Sequence, residues 1–158
     1  MATCCGAIRQ MTISDIDQIY VLEHELFPNP WPKSFFESDL QRPSTIALVV
    51  EHDRQVIAYA LANCYDVELH ITNIAVDERF QRKGQAARLM DEMEQNALAR
   101  GCTHAYLEVR TTNSGAIELY KKIGYTISYT RSKYYIDGDD AYVMQKSLDQ
   151  GRTIAAVP

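Results

Sequence analysis

The sequence predicts an α/β domain with a central, mixed but mostly antiparallel twisted sheet and helices on both of its faces. Short β-rich runs alternate with amphipathic segments along the chain, and such a pattern is typical of layered α/β architectures. Neither an internal repeat nor a low-complexity tract interrupts the 158 residues. A chain of this length can bury most of its apolar surface in one core. We therefore expect one domain over residues 1–148 and a loose tail over residues 149–158.

The first predicted elements are a short strand and two helices that are separated by a proline-rich loop. Residues 7–10 have strand character, and the helix that follows has Ser14 as its expected N-cap and Asp17 at the third helical position. Three prolines in the segment 27–32 are incompatible with a helix interior. We expect a stiff loop there and a short helix over residues 33–40.

The middle of the chain is rich in strand-forming residues and ends in a long helix. Two β-rich runs, residues 45–51 and 55–64, flank the polar residues 52–54, which indicates two strands joined by a turn. Residues 69–76 form the next predicted strand. Apolar residues of the following helix recur at steps of three and four, as in a helix with one buried face. This stripe comprises Ala86, Leu89, Met90, Met93 and Ala97.

The last third of the chain alternates again between strand and helix. Gly101 is expected to end the long helix as its C′ residue, and residues 104–110 follow as a strand. Another helix is expected over residues 114–123. The two final strands are expected around residues 125–131 and 141–146.

The composition argues against several functional classes. A net charge of −5 makes a general nucleic-acid-binding surface unlikely to form. No stretch approaches the ~20 consecutive apolar residues that span a bilayer. The first residues lack the basic region and apolar run of a secretory signal. We therefore expect a cytoplasmic protein that has neither nucleic acid nor membrane as a partner.

The cysteines give no sign of a metal site. Cys4 and Cys5 are adjacent, while Cys64 and Cys102 lie in apolar surroundings. Zinc sites need ligands at characteristic short spacings, and that spacing is absent here. We expect four reduced thiols and no bound metal.

The segment 73–90 is the most informative part of the sequence. An apolar strand end runs into the basic turn Gln81-Arg-Lys-Gly-Gln-Ala86, which opens directly into the long helix. The start of a helix offers backbone N–H groups and a positive dipole end, which together bind phosphate. The spacing differs from that of a P-loop and from the three-glycine dinucleotide fingerprint. An ordinary loop before a solvated first helical turn would explain these six residues equally well.

This turn resembles the Gln/Arg-x-x-Gly-x-Gly/Ala signature of the GCN5-related N-acetyltransferases (GNAT), where it holds the pyrophosphate of acetyl-coenzyme A. A second block, Tyr106–Tyr125, resembles the ribosomal-protein alanine acetyltransferases of the RimI type and archaeal N-terminal acetyltransferases. The shared features are a Leu-Glu-Val-Arg strand, an Asn shortly after it, and an Ala-Ile-x-Leu-Tyr helix. The closing segment Tyr134–Met144 is similar to the same group, so the resemblance covers residues 8–148.

The resemblance implies a GNAT fold, acetyl-coenzyme A as cosubstrate and the N-terminus of a protein as acceptor. Ribosomal protein S18 is the leading candidate for that acceptor. The resemblance assigns a pairing of backbone with the pantetheine arm to Ile74, Ala75 and Val76. It assigns the phosphates to Arg82, Lys83, Gly84, Gln85, Ala86 and Ala87, with a further coenzyme contact at Asn113. Asn113 could equally serve as a helix N-cap, and both roles are compatible.

Glu108 and Tyr120 are the candidate catalytic residues. Alternation places Glu108 on the opposite strand face from Leu107 and Val109. The resemblance assigns Glu108 as the proton acceptor, while a salt bridge with Arg110 on the same face is the alternative. A tyrosine phenol stays protonated up to a pKa near ~10 and can donate to a departing thiolate. The resemblance assigns this role to Tyr120, which could otherwise be a core aromatic residue.

Four residues are candidates for binding the acceptor. His70 lies in a strand that resembles the Gly-His-x-x-x-x-Ala-Val strand of Ard1-type enzymes, where the His is a candidate base; a strand-edge His with a backbone partner is the alternative. Asn29 stands where those enzymes carry a Glu, and the surroundings of Trp31 are closer to the bacterial alanine enzymes. Tyr134 and Tyr135 could form the peptide-side wall of the cleft or be ordinary sheet aromatics.

Three other functions remain open at this point. One is a broader, Ard1-like N-terminal acetyltransferase, and another is a same-fold enzyme that acylates small amines. The third is a non-catalytic module that binds coenzyme A.

Overall fold

A computed structural model describes residues 6–148 as a seven-stranded sheet flanked by four α-helices. The strand order is β1-β2-β3-β4-β5-β7-β6, and every neighbouring pair is antiparallel except β4 and β5. The predicted fold class is therefore confirmed. The elements are β1 (Ala7–Gln10), α1 (Ile16–Leu26), α2 (Lys33–Leu40), β2 (Thr45–His52), β3 (Gln55–Tyr65), β4 (Glu68–Val76), α3 (Gln85–Ala99), β5 (His104–Arg110), α4 (Ser114–Lys122), β6 (Thr126–Arg131) and β7 (Ala141–Ser147).

The helices cover opposite faces of the sheet, and each face has its own apolar core. α1 and α2 pack on one face, where Ile19 and Phe36 are fully buried. α3 and α4 pack on the other face through residues such as Met93 and Ile117. Residues 56–63 of β3 are all buried. Because successive strand residues point to opposite faces, β3 contributes side chains to both cores.

The start of α1 differs from the sequence-based expectation. The predicted N-cap, Ser14, lies inside a 3₁₀ turn over Ile13–Asp15. Thr12 is the N-cap of that turn, and Asp15 is the N-cap of α1. The backbone N–H of Thr12 donates to Asp15 Oδ2 at 2.7 Å. Two guanidinium nitrogens of Arg9 also donate to the Asp15 carboxylate, each at 2.8 Å. Arg9, on β1, thus holds the carboxylate of the residue at which α1 begins. The other predicted element bounds lie within one residue of those observed.

The parallel junction between β4 and β5 is short. Its ladder has four residue pairs, from Glu68 with His104 to Ile71 with Leu107. β4 then continues beside β3 as far as Val76, while β5 continues beside β7 as far as Arg110. The two strands therefore separate on the sheet's midline, and a gap opens between them.

Some expectations concern the chain ends, the thiols and the membrane. Cys4, Cys5 and the predicted tail over 149–158 lie outside the described residues. Cys64 and Cys102 are free thiols, and burial raises the pKa of the Cys102 thiol to about 12. Between residues 6 and 148, no helix combines the length and the apolar character that a bilayer span needs.

Candidate active site

A cleft of about 550 Å³ lies among the end of β4, the start of α3 and the α4 helix. Leu26 and Phe27 close it at the end of α1. Ten residues that the sequence singles out line this cleft: Ile74, Ala75, Val76, Arg82, Gly84, Gln85, Ala86, Ala87, Asn113 and Tyr120. Lys83 is absent from this lining, and its Nζ lies 5.9 Å from the centroid of the Phe80 ring.

The basic turn, residues 81–86, takes its shape from two residues in the left-handed region. Arg82 has a φ of 63° and Gly84 a φ of 82°, and Gly84 is the N-cap of α3. A Cβ on Gly84 would meet no atom within 4 Å, so backbone conformation rather than crowding favours glycine there. The first N–H groups of a helix lack intrahelical acceptors, and the dipole is positive at that end. This end of the cleft is therefore suited to an anion.

The end of β4 presents its backbone to the same cleft. One edge of this segment pairs with β3 as far as Val76, while pairing with β5 on the other edge stops at Ile71. The side chain of Gln81 donates to the carbonyl oxygen of Val76 at 2.9 Å, which ties the basic turn to the strand end. An extended chain with amide groups can hydrogen-bond to such a strand edge. These features fit the long, phosphate-bearing coenzyme that the sequence resemblance implies.

Asn113 and Tyr120 border the cleft from α4. The Asn113 side chain accepts the backbone N–H of Ala116 at 3.2 Å, so the N-cap interpretation is confirmed. Tyr120 is 7% exposed, and its hydroxyl has no hydrogen-bond partner within residues 6–148. Burial, with a smaller contribution from Tyr135, raises the pKa of Tyr120 to about 12. The phenol is therefore protonated at neutral pH and lies against the cleft.

Glu108 and His70 form a hydrogen-bonded pair where β4 and β5 separate. The Nε2 atom of His70 lies 2.8 Å from Oε1 of Glu108. The His70 ring stacks on Tyr106, with 4.4 Å between ring centroids and 5° between ring planes. The Glu108 side chain is 9% exposed and that of His70 is 23% exposed. Stacking and pairing thus hold a carboxylate and an imidazole in a fixed, partly solvated arrangement.

The structure decides between the sequence-based alternatives for these two side chains. Glu108 does not form a salt bridge with Arg110, because Arg110 donates instead to Asp137 and Asp139. The alternative of a backbone partner for His70 is also wrong, since its ring nitrogen faces Glu108. Glu108 therefore has His70, and not Arg110, as its hydrogen-bonded partner.

The base candidate and the acid candidate belong to opposite faces of the sheet. Leu107 and Val109 pack in the same core as Tyr120, and alternation along β5 directs Glu108 to the other face. The ladder between β4 and β5 ends at Ile71 and Leu107, directly before Glu108.

The loop between β6 and β7, residues 132–140, carries the two predicted acceptor tyrosines. This segment is the tyrosine loop. The rings of Tyr134 and Tyr135 contact each other edge to face at 5.0 Å. Burial raises the pKa of both phenols, and the charge of Glu108 contributes to each shift. The tyrosine loop therefore lies near Glu108.

Trp31 has a different environment from the other predicted acceptor residues. Its ring packs against Phe35 and Phe36, with centroids 6.0 Å and 5.4 Å away. Its backbone N–H donates to the buried carboxylate of Glu23 at 3.0 Å. Glu23 also accepts the Tyr59 hydroxyl at 2.6 Å. Trp31 thus packs within the proline-rich loop. It neither lines the cleft nor contacts the Glu108–His70 pair.

Several residues near the site escaped the sequence analysis. Tyr106 supports His70 by stacking, and it lies two residues before Glu108 on the same strand face, a spacing that could have identified it. Gly115 and Ala116 line the cleft next to Asn113. Two small residues at the start of a helix could have indicated that a ligand packs closely against it. Phe27 lines it from a loop whose position no local pattern predicts. Within residues 6–148, no group of three or more metal-ligating side chains is arranged to hold a metal ion.

Comparison with known proteins agrees with this geometry. The Acetyltransferase (GNAT) family matches residues 16–125. An N-alpha-acetyltransferase of Sulfurisphaera tokodaii is 32% identical over 154 residues, which cover 89% of this chain and 92% of the relative. A ribosomal protein bS18-alanine N-acetyltransferase of Salmonella typhimurium is 30% identical over 143 residues, which cover 88% and 95% of the two chains.

The solved structures agree as well. The crystal structure of Ard1 from Thermoplasma volcanium superposes with a TM-score of 0.85 at 28% identity, covering 91% of this chain and 98% of that one. The family model spans more than half of this chain, and the relatives match over most of their own length. The chain therefore belongs to the acetyltransferase (GNAT) family and is an acetyl-coenzyme A-dependent N-acetyltransferase.

Proposed function

We propose that this enzyme is an N-α-acetyltransferase that acetylates the N-terminal amine of a protein, with the N-terminal alanine of ribosomal protein bS18 as its leading substrate. The observation that carries the proposal is the Glu108–His70 pair, 2.8 Å apart at the point where β4 and β5 separate. The names of two relatives support the acceptor class, since one is an N-alpha-acetyltransferase and the other a bS18-alanine N-acetyltransferase.

The chemistry of the acceptor suits a single carboxylate base. A free α-amino group has a pKa of ~7.7–8.0, against ~10.4 for a lysine side chain. At neutral pH an α-amine therefore needs only modest help to lose its proton. Glu108 provides a carboxylate that is only 9% exposed and has no Arg or Lys partner among residues 6–148. His70 holds that carboxylate in place and can itself hold a water or a proton.

The reaction can be written as one proton-balanced exchange. Acetyl-coenzyme A supplies the activated thioester carbon. Glu108 takes a proton from the amine nitrogen, directly or through water, as the nitrogen–carbon bond forms. Tyr120 donates its phenolic proton to the sulfur as the carbon–sulfur bond breaks. Tyr120 then regains a proton from solvent, and Glu108 releases the proton that it took. The raised pKa of Tyr120, about 12, keeps this donor protonated.

The remaining predicted residues divide between the two substrates. The backbone of Ile74, Ala75 and Val76 would pair with the pantetheine arm of the coenzyme. The phosphates would lie on the basic turn and the start of α3, with Asn113 at the far wall of the cleft. On the acceptor side, Tyr134 and Tyr135 would flank the incoming peptide next to His70. Trp31 would act at most indirectly, by fixing the loop that ends at Phe27, a cleft residue.

A broader, Ard1-like specificity is the second candidate, and one observation favours it. His70 pairs with Glu108 in this structure, so the histidine that the Ard1-like strand pattern singles out lies at the proposed base. A site with two titratable groups can deprotonate acceptor amines of varied pKa. Such an enzyme would accept N-termini that begin with residues other than alanine.

The test is a panel of acceptors assayed with acetyl-coenzyme A. The panel holds a peptide with the bS18 N-terminus, matched peptides that begin with Ser, Met or Glu, an N-terminally blocked lysine peptide, and spermidine. We expect acetylation of α-amines, fastest on the alanine peptide, and at least tenfold slower turnover on the lysine peptide. Equal turnover on all four N-termini would favour the Ard1-like alternative.

Two outcomes contradict the proposal. Activity on spermidine without activity on any α-amine would identify a small-amine acetyltransferase. Binding of acetyl-coenzyme A in calorimetry, with no product from any acceptor, would identify a non-catalytic module. Mass spectrometry of protein N-termini from cells that lack this protein tests the bS18 assignment, because the acetylated form of bS18 should disappear.

A further inference from the structure

We propose that Arg110 is a positioning residue that holds the tyrosine loop against the acceptor side of the site. This inference rests on the proposed function, because it assumes that the acceptor peptide enters beside that loop. It goes beyond the catalytic assignments, since Arg110 touches neither substrate in the scheme above. Its role is to keep the wall formed by Tyr134 and Tyr135 in place while the peptide binds.

The contacts of Arg110 converge on one segment. One of its guanidinium nitrogens lies 2.9 Å from Asp137 Oδ2 and 2.9 Å from Asp139 Oδ2. The guanidinium carbon lies 4.0 Å from the centroid of the Tyr135 ring, within cation–π range. The two carboxylates and the ring all belong to the tyrosine loop, so a single side chain of β5 holds the loop from three sides.

The tyrosine loop is folded so that it presents both carboxylates to Arg110. The backbone N–H of Tyr135 donates to the carbonyl oxygen of Asp139 at 3.1 Å, and that of Gly138 donates to the carbonyl oxygen of Tyr135 at 2.9 Å. The N–H of Asp139 donates to Asp137 Oδ1 at 3.1 Å. Two like charges this close would repel each other without a shared cation. Arg110 neutralises both, and it lowers the pKa of Asp137.

The position of Arg110 links the loop to the chemistry. Arg110 follows Glu108 by two residues on β5, so both side chains project from the same sheet face. The loop that Arg110 holds brings Tyr134 near Glu108 and Tyr135 near Tyr120, since Glu108 contributes to the raised pKa of Tyr134 and Tyr135 to that of Tyr120. The loop thus borders both the proposed base and the proposed acid, and its placement depends on a residue next to the base.

The arrangement is suited to positioning rather than to global stability. The Arg110 side chain is 23% exposed, and each of its aspartate partners is 47% exposed. Half-exposed ion pairs contribute little to the free energy of unfolding because water screens them. Removal of Arg110 should therefore release the loop without unfolding the protein. The loop retains a separate attachment, since the N–H of Thr111 donates to the carbonyl oxygen of Asp140 at 3.1 Å.

The test compares Arg110→Gln, Arg110→Lys and the double variant Asp137→Asn/Asp139→Asn with the control Arg42→Gln. Arg42 is a half-exposed arginine paired with Asp39 at 3.7 Å, far from the cleft. For each variant, kinetics give kcat and the KM of both substrates. Hydrogen–deuterium exchange of residues 132–140 and trypsin cleavage after Lys133 report on the loop itself. Thermal unfolding checks that each variant is folded.

We expect Arg110→Gln to raise the KM of the peptide about tenfold, which corresponds to one or two lost ionic contacts and a cation–π contact. The KM of acetyl-coenzyme A and the value of kcat should change less than about threefold, because the donor cleft is untouched. Hydrogen–deuterium exchange of the tyrosine loop and trypsin cleavage after Lys133 should become faster. The double variant Asp137→Asn/Asp139→Asn should show the same changes as Arg110→Gln. Arg110→Lys should rescue only part of the effect, since a lysine keeps the charge but loses the planar stack.

Unchanged peptide KM and unchanged loop exchange in Arg110→Gln would overturn the inference. A fall in kcat with a matching loss of thermal stability would also overturn it, because that result indicates an ordinary structural role. If wild-type enzyme acetylates no α-amine at all, the proposed function fails instead. The exchange and cleavage measurements still decide in that case whether Arg110 holds the loop.

Discussion

The proposed donor cleft and the proposed acceptor side of this enzyme are built in different ways. Ten residues of the cleft come from one continuous stretch, the end of β4 through the start of α3, and the others come from α4 and the end of α1. The acceptor side consists of side chains that come from distant parts of the chain. Glu108 pairs with His70 across 38 positions, and Arg110 pairs with Asp137 across 27.

This difference follows from what each substrate requires. A phosphate-bearing coenzyme needs N–H groups and a helix dipole, which are properties of backbone conformation that many sequences can supply. An amine needs a base with a suitable pKa and an orientation that neighbouring side chains set. Substitutions on the acceptor side should therefore change turnover or peptide binding, whereas changes in the basic turn should affect coenzyme binding.

The largest effect should come from Glu108→Gln, which keeps the shape of the side chain and removes the base. We expect kcat to fall roughly 10²- to 10⁴-fold, the usual range for loss of general base catalysis. Calorimetry should show acetyl-coenzyme A binding within about twofold of wild type, because Glu108 lies outside the cleft lining. Full turnover in this variant would show that Glu108 is not the base, and it would contradict the proposed roles of the donor cleft and the acceptor side.

Tyr120→Phe should have the next largest effect, with a fall in kcat of about a hundredfold. The hydroxyl has no hydrogen-bond partner within the described residues, so the melting temperature should hardly change. With a pKa of about 12 for Tyr120, wild-type activity should show no alkaline loss from this group below pH ~11. A large drop in thermal stability without a kinetic effect would instead indicate a core aromatic residue.

Gly84→Ala, compared with Gly101→Ala, tests the donor side with a matched pair. Both glycines have positive φ values, 82° and 94°, and a Cβ at either would meet no atom within 4 Å. Each variant should lose roughly 1–2 kcal/mol of stability from the left-handed backbone. Only Gly84→Ala should also raise the KM of acetyl-coenzyme A, by about tenfold, because only Gly84 lines the cleft. Equal kinetics in both variants would contradict the assignment of the basic turn.

His70→Phe should give the smallest effect of the series. The substituted ring can still stack on Tyr106, while the hydrogen bond to Glu108 is lost. One hydrogen bond of ~0.5–1.5 kcal/mol corresponds to a fall in kcat of about fivefold. His24→Phe on the exposed side of α1 is the control, and it should leave kcat unchanged. A loss as large as that of Glu108→Gln would make His70 an equal partner in proton transfer.

The same contrast explains how much the sequence could predict. Element bounds matched within one residue because hydrophobic periodicity and glycine or proline signals are local. The family resemblance predicted eight lining residues within the continuous segment 74–87, where the turn and the helix start adjoin, but it did not identify Phe27, Gly115 or Ala116. Lys83 is the exception within the predicted phosphate-binding turn, because it does not line the cleft.

Contacts between separate elements account for what the sequence did not predict. Nothing near Glu108 in the chain indicates that Arg110 prefers two aspartates nearly 30 positions away over its neighbour. The N-cap of α1 was misplaced because Arg9 of β1 fixes Asp15. Trp31 was expected on the acceptor side, yet the structure surrounds it with Phe35 and Phe36 of α2. Each of these depends on which other element packs against the residue, whether near or far along the chain.

The short ladder between β4 and β5 has a consequence for the molecule as a whole. Four residue pairs are the only rungs that join strands β1–β4 to strands β5–β7 within the described sheet. The sheet thus consists of two halves joined by one short ladder. A ligand that hydrogen-bonds to the unpaired ends of β4 and β5 would add to that junction. Binding of acetyl-coenzyme A should therefore restrict motion between the two halves of the sheet. Release of coenzyme A should restore that motion, so the rigidity of the sheet should vary during each turnover.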